Sequence, residues 1–187
     1  MQLKGLKKQK GLESSLVIGH IGRFIEPKNH RFLLEILKSL LRKHSNVKLL
    51  LVGDGDLRKQ IEEEARAKGL WQHIKFVGIR DDVHTMLHSM DVFVFPSIYE
   101  GLGLVLLEAQ ASQVPCIVSE AIQPEADLNM NLVSRLSLTD HPDLWADKIL
   151  ELGTNKENQK VNVTEAFEAS GYALPVGISK LMNLYQT

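Results

Sequence analysis

At 187 residues, with 44% hydrophobic and 24% charged side chains, the chain has the balance of one globular domain able to bury a core. A formal net charge of −1 removes the electrostatic basis for bulk nucleic-acid binding. No apolar run approaches the ~18 residues of a membrane span, and the single cysteine, Cys116 in VPCIVS, excludes an intramolecular disulfide and reads as a buried, inert thiol in a reducing compartment.

The first stretch, MQLKGLKKQKGL, carries lysines but no apolar signal-peptide core, so a cytoplasmic location is expected. Residues 1–13 read as a linker or the remnant of an interdomain connection, and 14–187 as the folded domain. Residues 16–21 (LVIGHI) form a short β-type run followed by Gly22-Arg23-Phe24. From Pro27 onward, Phe32, Leu33, Ile36, Leu37, Leu40 and Leu41 follow helical spacing. A second strand is expected at 47–52 (VKLLLV), with Asp54 or Asp56 capping a helix that runs to Lys68 and stops at Gly69.

A third strand is expected at 74–77, a short helix at 83–89, a fourth strand at 91–95, a helix at 103–112 and a fifth strand at 114–118. Beyond residue 119 the pattern weakens to a strand at 132–138 and a helix at 142–152 ended by Gly153. A polar loop at 154–160 and helices at 162–170 and 174–185 complete the chain. Apolar strands alternating with helices predict an α/β fold: a doubly wound, Rossmann-like parallel sheet with helices on both faces.

In such a sheet, ligands bind beyond the carboxyl ends of the strands. The loops at 19–28, 53–56, 78–82 and 96–103 would emerge there. Gly22-Arg23 with Lys28 five residues on could neutralise a diphosphate, although cations are common in solvated loops. GHIG is not the G-x-G-x-x-G dinucleotide fingerprint, and the glycines of GDGDLRK suit a turn. Glu100 and Glu108 flank GLGLVLL in a strand–loop–helix context, which places Glu108 on the second helical turn amid Leu106, Leu107 and Ala109. A carboxylate buried there would need partners. His84 and His88 lack a third ligand, so no metal site is expected, and Trp71 and Trp145 read as packing residues.

PSIYEGLGLVLLEAQ resembles the donor-binding motif of the retaining glycosyltransferases of the GT-B fold, family 4, the group 1 glycosyltransferases. GHIGRFIEPKNH, LLLVGDG and IKFVGIRDDV resemble that family's accompanying blocks in the same order, and the resemblance runs from about residue 16 to the C-terminus. It implies a nucleotide-sugar donor, a UDP-sugar foremost, bound without metal or other cofactor, and a role in polysaccharide biosynthesis. By position, Arg23 and Lys28, beside Gly22, would hold the diphosphate, and Glu108 the ribose. Glu100 would orient the donor sugar, with the backbone of Gly101, Leu102, Gly103 and Leu104 supporting phosphate and sugar. Main-chain atoms of Ile79 or Arg80 would lie by the base.

Retaining transfer would then rest on stabilising the departing diphosphate. Two departures stand out. Gln113 occupies the position of a helix-ending glycine, which predicts a different turn, and AIQPE lacks the usual glycines while placing Glu125 near the donor. The resemblance also implies a second, N-terminal half that binds a saccharide or lipid-linked acceptor, with peripheral membrane association of the full enzyme. Without that half, donor binding with little or no transfer is expected. A non-catalytic nucleotide-sugar-binding or assembly module is the alternative; an epimerase is disfavoured by the Glu-x7-Glu block.

Overall fold

The computed structural model describes residues 15–154 and 162–185. The segment 1–13 and the loop at 154–160, apart from Thr154, lie outside the described residues. Six strands form the sheet: β1 (Leu16–Ile21), β2 (Val47–Val52), β3 (Ile74–Gly78), β4 (Val92–Phe95), β5 (Cys116–Ser119) and β6 (Val133–Leu136). All pairings are parallel, in the order β3-β2-β1-β4-β5-β6. The expected α/β, doubly wound architecture is what forms.

The helices are α1 (His30–Lys43), α2 (Arg58–Ala67), α3 (Val83–Leu87), α4 (Leu104–Ala111), α5 (Pro142–Thr154), α6 (Val163–Ala169) and α7 (Leu174–Tyr185). Strand side chains alternate between two cores. Ile18, Leu49, Leu51, Val92, Val94 and Ile117 meet α1, α2 and α5 on one face. Val17, Leu50, Val52, Phe93, Phe95, Cys116 and Val118 meet α3 and α4 on the other. Because both faces are covered, the strands read as continuous apolar runs. Leu33, Leu37 and Leu40 of α1 are fully buried, and each such leucine contributes about 1.5–3 kcal/mol.

Several local expectations are corrected. Pro27 sits in a separate 3₁₀ turn (Glu26–Lys28), and Asn29, left-handed at φ 52°, divides that turn from α1. Neither Asp54 nor Asp56 caps α2, whose N-cap is Leu57 without a side-chain bond; Asp54 instead accepts from the Gly55 N–H at 2.8 Å. Gly153 does not stop its helix. It lies inside α5, where a Cβ would come within 2.5 Å of Leu16 Cδ1, so close packing requires the glycine.

Gln113 adopts the left-handed cap rather than avoiding it. Its φ is 55°, its N–H donates to the Gln110 carbonyl, and the Val114 N–H donates to the Ala109 carbonyl. Those two bonds are a Schellman closure made without glycine. Gly69, at φ 71°, ends α2 as expected, and Cys116 is fully buried, which raises its thiol pKa. Trp145 is buried, with Nε1 donating to the Ser137 carbonyl at 3.1 Å. Trp71 lies at the surface, stacked on Phe76 under the Arg66 guanidinium. Among the described residues, no helix is long and apolar enough to cross a membrane.

Candidate functional site

The strand order reverses between β1 and β4, and the crevice of a doubly wound sheet opens beyond the carboxyl ends at that point. Beside that point, backbone hydrogen bonds stitch together the three loops that follow β1, β2 and β3. The Gly22 N–H donates to the Val52 carbonyl at 2.9 Å, the Phe24 N–H to the Asp54 carbonyl at 3.0 Å, and the Gly53 N–H to the Gly78 carbonyl at 2.8 Å. The resulting cleft, about 470 Å³, is bounded by Gly22 and Arg23, Gly53 and Asp54, and Ile79 and Arg80. Close backbone approach makes it possible. Gly53 has φ +132°, and a Cβ there would lie 2.1 Å from the Gly22 carbonyl oxygen.

The fourth loop is held against the first, because the Ile98 N–H donates to the Pro27 carbonyl at 2.8 Å. Lys28 Nζ reaches Glu100 Oε1 at 2.5 Å, with the side chains 17% and 12% exposed. The Lys28 stem passes Gly22, where a Cβ would stand 3.2 Å from Lys28 Cδ, and the ammonium lies 4.9 Å from the Phe95 ring centre. Beyond Glu100 and Gly101, the chain turns at Gly103 (φ 73°) to launch α4 from Leu104. The first turn of any α-helix presents N–H groups without intrahelical partners.

The remaining candidates are more open. Arg23 is exposed and has no ion pair among the described residues. Ile79 is also exposed, and Arg80 forks onto both oxygens of Asp82 at 2.7 and 2.8 Å, which raises the guanidinium pKa. Glu108 is exposed, on the outer stripe of α4 with Leu104. It is therefore not buried amid Leu106, Leu107 and Ala109, and no burial cost demands a partner for it. Glu125 is exposed as well, and its carbonyl accepts from the Tyr172 hydroxyl at 3.0 Å.

Directly beneath Gly22 and Lys28 lies a pair that sequence reading missed. His20 and His30 are buried with ring centres 4.9 Å apart, and His30 stacks on Phe24 at 4.1 Å. His20 Nδ1 donates to the Val94 carbonyl at 2.9 Å, which leaves Nε2 as an acceptor without a described partner. Burial lowers the His20 pKa to about 4, against the raising effect of that hydrogen bond; burial, then the charges of His20 and Lys28, lowers His30 further still. The available signal was a histidine inside the apolar run LVIGHI. Ser97 Oγ, at the end of β4, is likewise buried without a described partner.

Among the described residues, no group of three or more His, Cys, Asp or Glu side chains is placed to hold a metal ion. His88 Nδ1 instead bonds the His84 carbonyl within α3, at 2.7 Å. The arrangement offers an anion a cleft edged by one open cation (Arg23) and one paired to Asp82 (Arg80). Lys28, paired to Glu100, stands beside Gly22, and the loop–helix segment after β4 carries Glu100, the N-terminus of α4 and Glu108.

Comparison with known proteins identifies the family and the shared fold. EpsF of Bacillus subtilis (strain 168), a putative glycosyltransferase, is 40% identical over 170 residues, which is 91% of this chain and 44% of EpsF. The crystal structure of a point mutant of S. aureus TarM, in complex with fondaparinux, alpha-GlcNAc-glycerol and UDP, superposes with a TM-score of 0.80 at 25% identity, covering 92% of this chain and 36% of TarM. The fold is shared with Anabaena HepE in complex with UDP, with a TM-score of 0.80 at 19% identity over 99% of this chain and 52% of HepE. The chain thus spans about half or less of the length of these relatives. The family model described as glycosyl transferases group 1 matches residues 4–168, so the chain belongs to the group 1 glycosyltransferases.

Proposed function

We propose that this chain is the donor-binding half of a retaining glycosyltransferase. It takes a nucleoside-diphosphate sugar, a UDP-sugar foremost, without metal, for hexosyl transfer to a saccharide or lipid-linked acceptor. The observation that carries the reading is the cleft lined by Gly22, Arg23, Ile79 and Arg80 beyond the strand ends, with Lys28 beside Gly22 and paired to Glu100 of the loop after β4. The UDP in the TarM complex supports the choice of nucleotide.

In this reading the diphosphate lies along the Gly22 backbone, against Arg23 and Lys28 and the first turn of α4. Charge that builds on the departing diphosphate meets Arg23, the first-turn N–H groups of α4 and the Lys28 ammonium once it turns from Glu100. Glu108 receives the ribose hydroxyls from its exposed position on α4, Glu100 orients the sugar, and main-chain atoms of Ile79 or Arg80 meet the base. Transfer requires an acceptor held in register by a second, N-terminal half, so this chain alone binds donor and turns over little or none of it.

Calorimetric titration with UDP-, GDP- and ADP-sugars tests the reading. Binding of one nucleotide series, weakened about tenfold by Glu108→Ala, is expected. No binding at millimolar concentration, or equal binding by the variant, contradicts it.

A further inference from the structure

Lys28 and Glu100 come from loops 72 residues apart, yet they are each other's partners at 2.5 Å and both are largely shielded from water. A shielded carboxylate is stable only while something donates to it. The lysine stem runs past Gly22 and its ammonium lies over the Phe95 ring, which keeps the charge beside the Gly22 backbone. An anion that engages Lys28 shares the positive charge that Glu100 relies on and brings like charge towards the carboxylate.

We infer that Glu100 is a specificity-determining residue that makes this site favour the intact nucleotide sugar over the bare nucleoside diphosphate. The inference rests on the donor-site reading above. When the sugar is attached, its hydroxyls donate to Glu100 as the diphosphate takes Lys28, so the carboxylate exchanges one partner for another. When the sugar is gone, the diphosphate strands Glu100 beside its own negative charge. Glu100 then recaptures Lys28 and expels the spent product.

The test compares calorimetric affinities of the 187-residue chain and its Glu100→Gln variant for UDP, GDP and ADP and for the glucose, galactose and N-acetylglucosamine esters of the nucleotide that binds. Glutamine has the shape of glutamate without its charge, so the bare diphosphate is expected to bind about fivefold tighter. The ratio of intact-donor to bare-diphosphate affinity is expected to fall about tenfold. Glu100→Ala, read the same way, guards against a folding defect specific to the amide. A variant pair that leaves the bare-diphosphate affinity unchanged or weaker overturns the inference, as does a wild-type chain that binds every sugar ester no better than the bare nucleotide. A wild-type chain that binds none of the nucleotides overturns the donor-site reading itself, and the inference with it.

Discussion

Gly53 and Gly22 meet backbone to backbone: a Cβ on Gly53 would lie 2.1 Å from the Gly22 carbonyl oxygen, at a φ of +132° that side chains rarely adopt. The contact joins the loops after β1 and β2 into one cleft wall. Gly53→Ala is therefore expected to destabilise the fold by about 3 kcal/mol, combining backbone strain with a steric clash that only loop movement relieves. It should also displace Arg23 and weaken nucleotide binding. Urea unfolding and titration of the same preparation check both effects, and wild-type stability would show that the two loops are not held as described.

Lys28→Met is expected to cost about 2 kcal/mol, because Glu100 would keep its shielded position and lose its partner. Adding Glu100→Gln should recover a substantial part of that loss, since an amide tolerates the site without a counter-charge. A double-mutant cycle in urea measures the coupling, and strictly additive effects would contradict it.

His20 and His30 predict acid sensitivity. In the folded chain burial holds both pKa values below the usual 6.5, with His20 at about 4, so the unfolded chain binds protons that the folded chain refuses. Their neutral forms leave stability undiminished above pH 6.5, and stability falls as pH drops from about 6.5 towards about 4. His20 alone accounts for about 3 kcal/mol across that window. His30→Phe keeps a ring on Phe24, removes two buried nitrogens without described partners and should flatten the profile. Urea midpoints between pH 7 and 5 decide; an equal slope in wild type and variant would contradict the assignment.

Gln113→Gly should stabilise the chain by about 0.5–1 kcal/mol, because the residue already sits at φ 55° in a Schellman closure where glycine carries no Cβ penalty. A higher thermal midpoint with unchanged nucleotide affinity is the expected outcome, and a lower midpoint would count against the cap.

The sheet was legible in the sequence because covered parallel strands leave apolar runs such as LVIGHI and VKLLLV, bounded by glycines. The cleft loops were legible for the same reason, since they follow those runs. Residue roles that depend on distant neighbours were not. Gly153 carries the local signature of a helix stop, but Leu16, far away in sequence, needs the space inside α5. Glu108 lies next to buried leucines in sequence and away from them on the helix, so its exposure followed from rotation rather than composition. The Lys28–Glu100 pair arises only when β1 and β4 lie side by side, and the His20–His30 contact only when α1 folds back onto β1.

The central claim, that a nucleotide sugar binds beyond the β1 and β4 termini, is tested most directly by two-dimensional NMR of the labelled chain titrated with UDP and UDP-glucose. The account predicts that amide shifts concentrate at Gly22, Arg23, Gly53, Ile79, Arg80 and Gly101 through Leu104, with the Glu108 side of α4 following. Shifts centred instead on the exposed apolar face of α7 around Ile178 and Met182, or none at millimolar nucleotide, would contradict it.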